Sequence, residues 1–247
     1  MGIGMGNQLN AFGQPIGCPV PHWSPRPRPS RINLDGRFCR LEPLDPERHT
    51  ADLHEANQAD DGRGWTYLGY GPFASLAEYR TWVEKSAASE DPFFYTIVEA
   101  GSGRAVGVAT LMRIDPANGV IEVGNIKYSP ALQRTPAATE AMFVLMRYVF
   151  DELGYRRYEW KCDSLNAPSR AAALRLGFTF EGIFRQAVIY KGRNRDTAWF
   201  SITDAEWPAL KQAYECWLSP TNFNADGRQR RRLSDFIAEV RAAASGR

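Results

Sequence analysis

The stretch "SPALQRTPAATEAM", residues 129–142, closes a strand-like segment and opens a helix with only small side chains at the junction. Beyond it, Ala138, Ala141, Met142, Leu145, Val149 and Leu153 recur at the three- and four-residue spacing of one buried helix face, and Gly154 is the stop. Thr135 occupies the N-cap position, where its oxygen can accept a first-turn N–H. Pro136 follows at a position whose own N–H would have no helical partner. The free amides of such a start, together with the positive end of the helix dipole, form an anion site. Ala137 and Ala138 are small enough to let a phosphate approach the backbone, and Arg134 adds a movable charge. The same residues also make a good helix cap with no ligand, and the two readings separate only on the rest of the chain.

The chain has 247 residues, 44% apolar and 23% charged, enough for one substantial domain or two small ones. Lys+Arg 30 against Asp+Glu 28 leaves a formal charge of +2, which gives no global reason to expect a nucleic-acid partner. Cys18, Cys39, Cys162 and Cys216 lie far apart and the three histidines have no ligand-like company, so reduced thiols and no metal are expected. The N-terminus lacks the charged and apolar regions of a leader, and the apolar run Ala141 to Phe150 is broken by Arg147. The reading is a cytoplasmic protein with no membrane partner.

Residues 1–31 are Gly-rich, then Pro-rich ("CPVPHWSPRPRPS"), and read as an extended arm. From Arg37 the texture changes to a strand "RFCRLEPL", a helix opened by Asp45-Pro46, and a second helix capped by Ser75, with the Gly- and aromatic-rich loop "DDGRGWTYLGYGPF" between the helices. Three strands follow as an antiparallel meander: "FFYTIVEA", "AVGVATLMRI" and "GVIEVGNIKY". After the helix at 136–153 come "RRYEWKCD", a helix from Pro168 to Leu176, the strands "FTFEGIFRQAVI" and "DTAWFSIT", and the helix "DAEWPALKQAYECWL". Residues 219–247 read as a linker and an amphipathic helix with an arginine-rich start. That run, Arg228 and Arg230 to Arg232, suits a solvated or docking face better than a nucleic-acid site, since no aromatics are interleaved with it.

This order of elements over residues 32–218 resembles the GNAT acyltransferases, and in its residues the RimJ/RimL-like N-acetyltransferases. Gln133, Pro136 and Ala138 fall on the fixed positions of that family's Gln/Arg-x-x-Gly-x-Gly/Ala pyrophosphate loop. Asn166 and Ser169, then Gly177-Phe178 and Glu181-Gly182, are similar to its Asn-x-x-Ser…Gly-Phe…Glu-Gly segment. The resemblance implies an α/β (α+β) GNAT fold: a mixed, mostly antiparallel central sheet flanked by helices, here with an N-terminal arm and a C-terminal helix. Pro136 departs from the family's glycine and removes one candidate donor. The amides of Gln133, Arg134, Thr135, Ala137 and Ala138, with Thr139 beside them, are left to cradle the diphosphate of acetyl-CoA, with Gln133 or Arg134 covering it.

The resemblance also implies that two central strands splay, so that pantetheine bonds along Asn125, Ile126, Lys127 and Tyr128 like an added strand. It places Asn166 on the pantetheine arm and Ser169 at the thioester sulfur, although Asn166 is equally well placed as a helix cap. The tyrosine that many relatives use as the acid corresponds to Ala173. Ser169 is therefore the candidate acid, with Tyr128 and Tyr190 behind it. Alternation puts Glu122 on one strand face with Gly124 and Ile126, which makes it a candidate base or an acceptor for the substrate amine. Trp65, Tyr67 and Tyr70 lie where the fold builds its acceptor pocket, and could as well be a lid packed on the core. The expected activity is acetyl transfer from acetyl-CoA to a primary amine: a peptide N-terminus, an amino acid or a small amine, with a monomer or a homodimer left open. The competing reading is a non-catalytic coenzyme A-binding regulator of the same fold.

Overall fold

The computed structural model describes residues 8–245. Two short strands, β1 (Gln8–Leu9) and β2 (Pro15–Ile16), pair with each other in the arm. The main sheet begins with β3 (Leu34–Asp35) and β4 (Cys39–Pro43). Helix α1 (Pro46–Gln58) starts where Asp45 accepts from the amides of Glu47 and Arg48, and α2 (Leu76–Ala87) where Ser75 accepts from Glu78. The meander is β5 (Phe93–Glu99), β6 (Ala105–Asp115) and β7 (Val120–Tyr128). Helix α3 (Pro136–Arg147) runs into a π-helical turn at Tyr148–Glu152, and Gly154 then turns away at φ +71°. The chain continues through β8 (Arg157–Asp163), α4 (Ala167–Arg175), β9 (Thr179–Tyr190), β10 (Arg193–Thr203), α5 (Trp207–Leu218) and α6 (Leu233–Ser245).

The eight-stranded sheet has the order β3-β4-β5-β6-β7-β8-β10-β9, antiparallel except at β7–β8. Alternation along β5 explains why the sheet is covered on both faces. Phe93, Tyr95 and Ile97 join the main core with α3, while Phe94 joins a second core with Leu53 of α1 and Tyr79 and Val83 of α2. Leu233 and Ile237 of α6 are buried in the main core. The segment before α6 is anchored by Asn222, which donates to the carbonyls of Trp217 and Arg231 and accepts from the Arg231 amide. The arm is tied down from Trp23 onward: its indole donates to the Ala117 carbonyl at 2.7 Å, and Ser30 N donates to the Tyr148 hydroxyl at 3.0 Å.

One break in the sheet makes the site. The parallel ladder pairs Val120 to Val123 with Arg157 to Trp160 and stops there, although β7 runs on to Tyr128 and β8 to Asp163. A bulge bends β7 at that point: Ala109 of β6 faces both Asn125 and Ile126, and Asn125 sits at φ +48°. Each strand keeps its outer partner, β6 on one side and β10 on the other, so the inner edges of the fork are left unpaired.

Candidate active site

The fork opens on a cleft of about 1410 Å³ whose walls come from β7, β8, the starts of α3 and α4, the loop at 59–69 and the turn at 227–229. Most residues singled out from the sequence line it: Glu122, Asn125, Ile126, Lys127, Tyr128, Gln133, Arg134, Thr135, Pro136, Ala138, Thr139, Asn166, Ser169 and Tyr67. Ala137, Trp65 and Tyr70 do not.

At the α3 start, Thr135 caps the helix by accepting from Ala138 N at 3.2 Å. The cradle is narrower than the sequence suggests. Gln133 N already donates to Ser129 O, Thr135 N to Leu132 O, and Ala138 N to the cap, whereas Arg134 N and Ala137 N carry none of these bonds. Arg134 holds φ +62°, a left-handed conformation that costs a non-glycine residue about 1–2 kcal/mol. The Gln133 side chain is not a phosphate cover either: it donates to the Tyr128 carbonyl at 3.2 Å. Ala137 and Ala138 are 4% and 7% exposed, so their smallness also serves core packing, and Ala137 faces a neighbouring cavity beside Phe38. The Tyr128 hydroxyl donates to the Ala138 carbonyl, and burial pushes its pKa up, so it holds its proton at neutral pH and is a poor acid.

At the α4 start, Asn166 is the N-cap, accepting from Ser169 N at 3.1 Å. Ser169 Oγ accepts from the Trp160 indole at 3.0 Å, which fixes one lone pair and leaves the hydroxyl proton to be donated. Cys162 stands beside it, and burial raises its thiol pKa, so it stays protonated. Tyr190 donates to Asp163 at 2.9 Å. Burial and that bond push its pKa up to about 12, making it a poor acid.

Glu122 lies where the fork begins, directly opposite Glu159 on the parallel strand. Two carboxylates side by side repel, and Lys161 holds both, at 3.1 Å from Glu122 and 2.6 Å from Glu159. Arg113 adds a 2.6 Å bond to the same Glu122 oxygen. Glu122 is thus the counter-ion of two cations that the sequence reading did not single out. Buried Lys127 likewise pairs with Asp60 from the 59–69 loop, and its ammonium sits 4.5 Å from the Trp65 ring centre.

The aromatic loop divides. Trp65 is buried against Phe73 and Tyr70, and Tyr70 stacks on Trp82 at 4.7 Å, so both belong to the second core rather than to a pocket wall. Tyr67 lines the cleft and its hydroxyl donates to the Leu165 carbonyl at 3.2 Å, linking this loop to the approach to α4. Among the described residues no group of three or more His, Cys, Asp and Glu could hold a metal ion, and no helix is long and apolar enough to cross a membrane.

A forked mixed sheet with a capped helix start at its mouth defines the class of protein. A family model described as "Acetyltransferase (GNAT) domain" matches residues 39–179. The chain belongs to this GNAT family, and it is an acetyltransferase. It is 52% identical to a GCN5-related N-acetyltransferase from Brucella melitensis, with a TM-score of 0.87 over 89% of this chain and 100% of that one. It is 29% identical, over 73% of its length and 98% of the relative's, to a Bacillus subtilis (strain 168) protein that carries the provisional name ribosomal N-acetyltransferase YdaF. The fold, at 21% identity and a TM-score of 0.60 over 70% of this chain and 98% of the other, is also that of RimL, described as a ribosomal L7/L12 α-N-protein acetyltransferase in complex with coenzyme A.

Proposed function

We propose that the protein transfers the acetyl group of acetyl-CoA directly to a primary amine, with an α-amine as the favoured acceptor. The observation that carries this reading is the fork between β7 and β8, whose unpaired inner edge lines one cleft with the α3 start and with Ser169. The open edge of β7 offers N–H and C=O groups for an extended, amide-bearing chain such as pantetheine, and the arginine-flanked α3 start suits its diphosphate. RimL, of the same fold, is described with coenzyme A bound, which supports the same donor here.

In the reaction a neutral amine attacks the thioester carbonyl, the C–N bond forms and the C–S bond breaks. The departing thiolate takes a proton and the amine nitrogen loses one. Ser169, whose oxygen already accepts from Trp160, has its own proton to give to the sulfur. Removing the amine's proton at pH 7 costs about 1 kcal/mol for an α-amine near pKa 7.8, and about 4.6 kcal/mol for a lysine side chain near 10.4. With Glu122 serving as a counter-ion, the weaker base is the better acceptor.

The test is an amine panel of amino acids, peptides with free or blocked N-termini and small amines, read by the release of free coenzyme A thiol. α-Amines are expected to react faster than lysine ε-amines in N-terminally blocked peptides. Faster lysine acetylation overturns the preference, and coenzyme A binding without turnover on any amine favours a regulatory protein instead.

A further inference from the structure

The charges of the cleft are unevenly paired. Its lining carboxylates are Asp60, Asp61, Glu122 and Asp163. Each is engaged: Asp60 by Lys127, Asp61 by Arg63, Glu122 by Arg113 and Lys161, and Asp163 by the Tyr190 hydroxyl and the Leu165 amide. Arg134 lies just before the first turn of α3, and Arg175 and Arg228 line the cleft as well. None of these three arginines forms an ion pair among the described residues. Arg175 makes one neutral contact, 3.2 Å to the Thr139 hydroxyl, which fixes it beside that first turn.

Arg228 reaches the cleft from outside the region that the family model covers, which ends at residue 179. It sits on a tight hairpin in which Phe223 pairs with Gln229, Asn224 N donates to Arg228 O at 3.0 Å, and Arg228 N donates to Asn224 Oδ1 at 2.8 Å. Gly227 takes φ +74° at the turn. Two contacts anchor the hairpin against the body: Trp217 Nε1 donates to Gln229 at 2.8 Å, and Phe223 packs on Phe38 at 5.2 Å. The residue after Phe38, Cys39, donates its thiol hydrogen to the Ala137 carbonyl in that same α3 turn. The hairpin is therefore a built part of the cleft wall.

We infer that the hairpin at 223–229 reads the 3′-phosphate of coenzyme A through Arg228, a role that rests on the acetyl-CoA reading above. The α3 start with Arg134 and Arg175 already answers the diphosphate, which carries one charge per phosphorus. A third unpaired guanidinium, brought in by a separate element, matches a further anion, and a phosphate monoester carries about −1.5 to −2 at neutral pH. The chain beyond residue 218 thus contributes to cosubstrate selection as well as to the core.

The experiment compares coenzyme A with 3′-dephospho-coenzyme A by titration calorimetry on the full chain at fixed salt. The wild type is expected to bind the dephospho form on the order of 10- to 100-fold more weakly, the loss of a charge-assisted pair. Arg228→Ala should weaken coenzyme A about 10-fold and leave the dephospho form nearly unchanged, and Arg228→Lys should restore part of the difference. Equal affinities in the wild type, or an equal loss for both ligands in Arg228→Ala, overturn the inference while leaving the acetyl-CoA reading standing. No binding of either ligand by the wild type overturns both.

Discussion

Glu122 shows how neighbours set the work of a single side chain. From the strand pattern it is a candidate base, but in the fold its Oε2 accepts from Arg113 and Lys161 while Glu159 stands opposite across the parallel ladder. We expect Glu122→Gln to lower the melting temperature and reduce turnover modestly at every pH, with the acidic limb of the rate profile intact. A loss on the order of 10² to 10⁴-fold, together with disappearance of that limb, would instead assign it the proton transfer. Ser169→Ala should slow turnover most for acetyl thioesters with poor leaving groups and least for activated ones. The two residues are therefore separable by two different readouts. Lys161 and Arg113 were not legible as partners, because nothing in the chain announces that residue 122 will lie beside residue 159.

Elements were far more legible than contacts. Asp45, Ser75, Thr135 and Asn166 all cap the helices that their positions suggested, because a cap is a local event between a side chain and an amide two or three residues away. The aromatic loop was ambiguous for the opposite reason. Trp65 and Tyr70 became core only because α2 brings Tyr79 and Trp82 against the second core, while Tyr67 was left facing the cleft. The junction of β4 and α1 carries a pH-dependent element of the same kind. Burial opposes ionisation of Glu42, but its bonds to Arg40 and His49 prevail and hold its carboxyl below the usual range. Burial also lowers the His49 pKa, and its Nδ1 accepts from Asp45 N, so the neutral ring with its proton on Nε2 fits the site. Both groups have depressed folded values, so both contribute stability at neutral pH that is lost on acidification. For His49 the loss begins as the pH falls through about 6.5, and for Glu42 below about 4.5. Urea midpoints should therefore fall between pH 7 and 4, and Glu42→Gln should cost stability at pH 7 and progressively less as the pH drops below 4. An effect of Glu42→Gln that is independent of pH would rule out the carboxylate as its source.

At the scale of the molecule, the C-terminal segment belongs to the domain's core. Leu233 and Ile237 of α6 are buried in the main cluster, and Asn222 ties the preceding turn to Trp217 and Arg231. Ending the chain at Leu218 should cost about 3–6 kcal/mol, taking about 1.5–3 kcal/mol for each of those two buried side chains. Urea unfolding measures it, and an unchanged midpoint would make the segment an appendage. By itself the sequence determined the succession of strands and helices, the caps, and the match to a GNAT acetyltransferase, because periodicity, capping and motif spacing are written over a few consecutive residues. The tertiary structure alone decided that β7 and β8 part after Val123 and Trp160, that Glu122 is claimed by Lys161 and Arg113, and that Arg228 returns to the mouth of the cleft. Those facts join residues tens of positions apart, and local pattern has no physical means of specifying such a pairing before the chain has packed.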